Sequence, residues 1–273
     1  MKIKQILFGL IITGSIATAQ EKPAPDEILT YKKIGDVELT LHIFNPPAHT
    51  PADKAPAIVF FFGGGWKNGA PTAFYRQSAV LAEKGIVAIC ADYRVENRHG
   101  TPPSECVKDG KSAMRWVRAH TAELGIDPAR IAAGGGSAGG HVAAATAFVS
   151  GFNEVGEDTS VDCRPAALVL FNPVFDNSEN GYGYDRVSEY WQDFSPMHNI
   201  SAGAPPTLVM LGTKDNLIPV ATAEKYKELM TAAGARCDLI LYEEMVHGFF
   251  NKDRYEETLA AAIEFLESLG YIK

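Results

Sequence analysis

The stretch RIAAGGGSAGGHVAAATAFV, Arg130 to Val149, decides the fold. It reads as a short apolar strand (Ile131 to Ala133), a glycine-dense turn and an alanine-rich helix. Ser137 stands at the apex, inside Gly135-Gly136-Ser137-Ala138-Gly139. G-x-S-x-G between a strand and a helix is the pattern of a nucleophile elbow. The reason is steric: a serine held at so sharp a turn adopts strained dihedrals and brings strand and helix close together, so its neighbours must lack side chains. The helix N-terminus then aims its dipole and the Ala138 amide at the place where an oxyanion would form.

Two other readings of the stretch stay open at this point. Gly134, Gly136 and Gly139 also satisfy G-x-G-x-x-G, the dinucleotide fingerprint, which requires an acidic residue at the end of the next strand. Here the next strand, Ala166 to Phe171, ends in Asn172, and Asp158 lies in a loop. A purely structural glycine turn is the other reading, so the partners of Ser137 must decide.

Composition narrows the class. Lys2 and Lys4, the apolar run Ile6 to Ile12 and Ala17-Thr18-Ala19 have the layout of a signal peptide over residues 1–19, cleaved after Ala19. The run is too short to span a bilayer, and with no cysteine following it no stable membrane anchor is expected. A periplasmic or secreted protein follows, with residues 20–30 as a leader and 31–273 as one domain. Removing the signal takes the net charge from −8 to −10, which argues against nucleic acid as a partner. Cys90, Cys106, Cys163 and Cys237 show no C-x-x-C spacing, so no metal site is expected and none of them is assigned to a disulfide.

Along the chain, Tyr31 to Phe44 alternates about Gly35-Asp36 like a hairpin, with Val37, Leu39, Leu41 and Ile43 on one face. Ala57 to Phe62 and Ile86 to Asp92 are apolar runs that read as strands buried on both faces. Helical spacing covers Thr72 to Lys84 and Ser104 to Leu124. After the elbow come strands Ala166 to Phe171, Thr207 to Leu211 and Cys237 to Tyr242, with helices Val220 to Ala233 and Glu256 to Leu269. Apolar strands alternating with amphipathic helices give an α/β fold: a mostly parallel sheet of about eight strands, covered on both faces.

A nucleophilic Ser137 needs a base, an acid to orient it and oxyanion donors, all in loops beyond the carboxyl ends of strands. Two loops qualify: Gly212-Thr213-Lys214-Asp215-Asn216 and Glu243-Glu244-Met245-Val246-His247-Gly248-Phe249. Of seven histidines, His247 alone follows a strand end with this context; His141, four residues past Ser137, is the rival. The elbow directs Ser137 away from its own helix, so His141 reads as support. Glu243 and Glu244 are alternative acids, too close in sequence to His247 to brace it easily. Phe62-Gly63-Gly64-Gly65-Trp66 after the first buried strand leaves backbone amides bare for an oxyanion. No G-K-[ST] follows, so it is not a phosphate loop.

GGGSAGGH, ADYR (Ala91 to Arg94), SAMRWVRAH with GIDPARIAAGG, GTKDNLIPV and VHGFF, occurring together in this order, resemble the α/β-hydrolase esterases. The branch they are most similar to is the hormone-sensitive-lipase-like carboxylesterases with the related acetyl-xylan and feruloyl esterases. The resemblance spans Tyr31 to Leu269 and implies an α/β-hydrolase fold. It further implies an acyl-enzyme mechanism without a cofactor, run by Ser137, Asp215 and His247, with the amides of Gly64, Gly65 and Ala138 as oxyanion hole. The sequence departs from the family at Phe62, where His is usual and helps to fix the loop. It departs again at Gly136, where the lipase-like branch commonly has an acid; this favours the carbohydrate-esterase side. A serine peptidase of the prolyl-oligopeptidase type shares the domain, but no propeller is encoded here. A non-catalytic binder would not need Ser, Asp and His together.

The segment Asn172 to Pro205 follows a strand and is expected to form a small lid over Ser137's edge of the sheet. With Trp66, its Tyr182, Tyr184 and Trp191 are the candidate substrate-binding residues, as flat rings for a sugar or an aromatic acyl group. The expected partner is a small-molecule or oligosaccharide ester, with acetyl ahead of feruloyl.

Overall fold

The computed structural model describes residues 23–272. The expected signal peptide, 1–19, and the first residues of the leader lie outside them. The chain begins with an antiparallel hairpin, β1 (Glu27–Ile34) and β2 (Val37–Phe44), turning at Gly35-Asp36. β1 therefore starts inside the segment 20–30 read as leader; its Glu27 to Thr30 pair with β2, which gives these residues a ladder that their own mixed composition does not announce.

There follow β3 (Ala55–Phe61), α1 (Tyr75–Glu83), β4 (Val87–Ala91), α2 (Glu96–His99), α3 (Pro103–Ala119), β5 (Ile126–Gly136) and α4 (Ala138–Phe148). Then come β6 (Ala167–Phe171), α5 (Tyr184–Val187), α6 (Trp191–Phe194), β7 (Thr207–Gly212), α7 (Val220–Ala232), β8 (Cys237–Tyr242) and α8 (Tyr255–Ser268). α3 stops at Ala119 rather than Leu124, because His120 to Gly125 form turns that return the chain to β5. β5 is far longer than its apolar heart Ile131 to Ala133: the glycines up to Gly136 pair with Leu170 and Phe171 of β6 through backbone alone.

All eight strands form one sheet in the order β1-β2-β4-β3-β5-β6-β7-β8, parallel from β4 to β8. Residues alternate between its faces. Ala57, Val59 and Phe61 of β3 enter the core under α3, α4 and α7, whereas Ile58 and Phe60 enter the one under α1 and α8. From β3 the chain winds outward to β4, then crosses back to lay β5 on the other side of β3. The carboxyl ends of β3 and β5 thus flank the point where the winding reverses, which is where open α/β sheets place their crevices.

α4 is buried along its whole length. A Cβ on Gly139 would lie 2.1 Å from the Phe61 carbonyl oxygen, so only glycine lets this helix approach β3. The four cysteines are buried free thiols.

Arg94 of the ADYR motif makes a forked contact with the buried Asp109 of α3, at 2.8 Å on both arms. Lys32 of β1 joins the group, 2.7 Å from Asp109 and 2.8 Å from Glu154. Burial opposes ionisation of Glu154, but its bond to Lys32, the charges of Lys32 and Arg94 and the Val155 amide outweigh this and hold its carboxyl down to about 2. A carboxyl more acidic in the folded than the unfolded chain stabilises the fold above its ordinary pKa, and that contribution fades as the pH falls toward about 2. The melting temperature is accordingly expected to drop across this acid window. Lys32→Met should lower the melting temperature at neutral pH and flatten the drop; an unchanged acid profile would show that the ion pair does not govern it.

Candidate active site

Ser137 adopts φ 54° and ψ −122°, a conformation sparsely populated by any side-chain-bearing residue. Its surroundings hold it there. The Ser137 amide donates to the Phe171 carbonyl at 3.0 Å, and its own carbonyl accepts from His141 and Val174 at 3.1 and 3.2 Å. Because β5, β7 and β8 run parallel, the loops after them open on one edge of the sheet. That alone brings residues 137, 215 and 247 together.

His247 Nε2 lies 2.8 Å from Ser137 Oγ, and His247 Nδ1 lies 2.7 Å from Asp215 Oδ2. An ionised carboxylate can only accept, so Nδ1 carries the proton and Nε2 faces the serine hydroxyl as acceptor. The second Asp215 oxygen accepts from the Leu217 and Ile218 amides, each at 2.9 Å. The Asp215 side chain is fully buried, and these three bonds replace its lost water. Glu243 and Glu244 point to solvent, and Glu244 instead lies 3.6 Å from Lys214. His141 is fully buried, its ring packed edge-on against Trp66 and its Nε2 3.2 Å from the Phe194 carbonyl. Burial pushes its pKa down to about 3, so it stays neutral and supports the elbow helix from beneath.

The turn after β3 faces the serine. Gly64 and Gly65 have φ of 125° and 64°, and Trp66 has φ of 61°. Among the described residues no acceptor takes the amides of Gly64, Gly65 or Ala138, so all three are free to donate to an oxyanion. Phe62 fixes this loop without the usual histidine. Its ring stacks on Tyr93 with centroids 4.0 Å apart and planes 11° apart, and the Tyr93 hydroxyl donates to the Phe62 carbonyl. Gly136 also gains a local reason: a Cβ there would lie 2.5 Å from the Phe250 ring, so any side chain would displace a wall of the site.

The cleft between these loops encloses about 760 Å³. Phe74, Leu217 and Phe250 give it apolar walls, and Lys67, Asn68, Asn251 and Lys252 a polar rim. Of the four expected substrate-binding residues only Tyr182 lines it. Trp66 is buried at 1% exposure, because the left-handed turn folds its ring inward against His141, Tyr182 and Phe194. Trp191 packs edge-on against His198, and neither it nor Tyr184 lines the cleft. Of the rings in 172–205, Tyr182 and Phe194 pack on Trp66 and so seat the segment over the glycine turn. Among the described residues no group of three or more His, Cys, Asp or Glu could hold a metal ion.

Two residues emerge only from the fold. Asn172, at the end of β6, brings its amide nitrogen 3.4 Å from His247 Nε2 and accepts from the Gly248 amide at 3.1 Å, pinning the histidine loop. Its place at a strand end beside the elbow was the available signal. Phe250 closes the VHGFF motif, three residues after His247, but its contact with Gly136 is set by the fold alone.

An acid–imidazole–hydroxyl chain opposite unpaired amides can activate the hydroxyl, attack a carbonyl and hold the resulting oxyanion. The chain is similar to known proteins that do related chemistry. It is 31% identical to carboxylesterase NlhH of Mycobacterium tuberculosis over 86% of this chain and 81% of that protein. It is also 31% identical to esterase LipC of the same organism over 67% of this chain, and spans only 50% of that longer protein. In three dimensions it is similar to apo esterase 2 of Thermogutta terrifontis, with a TM-score of 0.88 and 44% identity over 93% of this chain and 97% of that one. The same esterase has been solved with propionate bound, covering 92% of this chain and 97% of its own at 44% identity and a TM-score of 0.87. The alpha/beta hydrolase fold family matches residues 58–251, well over half the chain. Matched over that span and akin throughout to solved esterases, the chain belongs to the alpha/beta hydrolase fold family and is a carboxylic ester hydrolase.

Proposed function

We propose that Ser137 attacks short-chain or aromatic acyl esters carried on saccharides and forms an acyl-enzyme that water then hydrolyses. His247 takes the serine proton and returns it to the leaving alcohol, Asp215 holds the imidazole, and the amides of Gly64, Gly65 and Ala138 receive the oxyanion. The observation that carries this reading is the unbroken chain Asp215–His247–Ser137, with bonds of 2.7 and 2.8 Å. The apolar walls Phe74, Leu217 and Phe250 suit a small acyl group, and a relative 44% identical binds propionate. The polar rim of Lys67, Asn68, Asn251 and Lys252 offers donors to sugar hydroxyls. Turnover of nitrophenyl esters should fall steeply from acetyl to octanoyl, and acetylated oligosaccharides should be turned over faster than feruloylated ones. A preference for octanoyl over acetyl would instead assign the cleft to a lipase-like substrate.

Export fits a substrate derived from a polymer. Mass spectrometry of the protein made by its native host should find an N-terminus at Gln20; an intact Met1 would overturn the signal-peptide reading.

A further inference from the structure

The glycine turn is a run of planar trans peptides, in which each carbonyl points opposite to the amide it shares a plane with. Whatever holds the carbonyl therefore aims the amide. The Gly64–Gly65 peptide is held by the chain itself, since the Gly64 carbonyl accepts from the Lys67 and Asn68 amides at 3.0 and 3.2 Å. The next peptide is held from outside: the Gly65 carbonyl accepts from Arg186 Nη1 at 2.6 Å, across 121 residues of sequence. Arg186 belongs to α5, in the segment laid over the site. Its guanidinium stands 5.0 Å from the Trp66 ring centroid of the turn and 5.6 Å from that of Tyr182 in its own segment, so one ring from each flanks it. Gly183 makes room for it, as a Cβ there would meet both Arg186 Nη2 and the Trp66 ring at 2.9 Å.

Arg186 has no carboxylate within salt-bridge distance among the described residues, although the chain carries a net charge of −8. A guanidinium so placed is not there for an ion pair. Its polar contact is a charge-assisted bond to a turn carbonyl that no backbone amide among the described residues takes. Gly65 and Trp66, the residues joined by that peptide, both sit in left-handed conformations that the turn must keep. We infer that Arg186 is a positioning residue: the peptide it locks carries the Trp66 amide, but locking it fixes ψ of Gly65 and so holds the preceding Gly64–Gly65 peptide, whose Gly65 amide faces the oxyanion, coupling the overlying segment to the chemical step. This rests on the proposed roles of Ser137 and the glycine turn.

The test compares wild type, Arg186→Ala, Arg186→Lys and Ser137→Ala on nitrophenyl acetate. Loss of one oxyanion donor costs about 10²- to 10³-fold in kcat, and a loosened donor should cost less. Arg186→Ala is therefore expected to lose roughly 10- to 100-fold in kcat with KM within about twofold of wild type. Millimolar free guanidinium should restore part of the lost kcat at constant KM, which a merely structural defect would not allow. Arg186→Lys keeps a cation but not the fork, and should fall between the two; it carries the test if the alanine variant does not fold. A raised KM with unchanged kcat in either variant, or no rescue by guanidinium, overturns the inference. Ser137→Ala separates the two failures. If it retains full turnover, the reading of the whole site is wrong; if it is inactive while Arg186→Ala and Arg186→Lys keep wild-type kcat, only the role of Arg186 is wrong.

Discussion

Ser137→Ala is expected to lower ester turnover by about 10⁴-fold or more, because removing the nucleophile disables the whole acid–imidazole–hydroxyl unit. The fold should survive. Ser137 is held by its own backbone bonds to Phe171, His141 and Val174, and among the described residues its hydroxyl is hydrogen-bonded to His247 alone. The melting temperature of the variant should therefore stay close to that of the parent while the rate collapses. His247→Ala should match it in severity. His141→Ala should cost far less turnover and more stability, since it empties a buried site between Trp66 and Phe194 rather than removing a proton carrier. Steady-state rates and thermal melts on the three variants decide the matter. An essential His141 beside a dispensable His247 would reverse the assignment of the base.

Asp215→Asn should be nearly as damaging, about 10⁴-fold in kcat, by a different route. The amide keeps the shape of the carboxylate, and its oxygen can still accept from the Leu217 and Ile218 amides. The other terminus then presents NH₂ to His247 Nδ1 and turns it into an acceptor. This places the imidazole proton on Nε2, facing the Ser137 hydroxyl, where it can no longer receive the serine proton. Asp215→Ala lacks the wrong tautomer's donor but leaves the imidazole unbraced. The diagnostic is labelling by an organophosphate such as paraoxon, which reacts with the related esterase 2 of Thermogutta terrifontis. The labelling rate of Asp215→Asn should fall in parallel with ester turnover. Wild-type labelling with lost turnover would place the role of Asp215 after acylation.

Much of this site is legible in one dimension because its chemistry depends on strand ends. A glycine-flanked serine between an apolar strand and an alanine helix has few alternatives. Once the strands are parallel, the loops bearing Asp215 and His247 can only emerge beside it. The same logic places the glycine turn after β3. The aromatic residues are another matter. Trp66, Tyr182, Tyr184 and Trp191 are alike as rings in a polar segment, and which of them meets substrate depends on backbone dihedrals that composition does not encode. A left-handed Trp66 turns its ring into the core and leaves Tyr182 alone at the cleft.

The ties that complete the site come from long range. Phe62 keeps the loop firm through Tyr93, some thirty residues on. Phe250 fills the space left by Gly136, and Arg186 reaches back to Gly65. Local spacing carries the nucleophile, its base and its acid, since each sits at a strand end with its own turn chemistry. Packing between segments far apart in sequence sets the cleft walls and the stiffness of the oxyanion turn, because those contacts exist only after the sheet has brought the segments together.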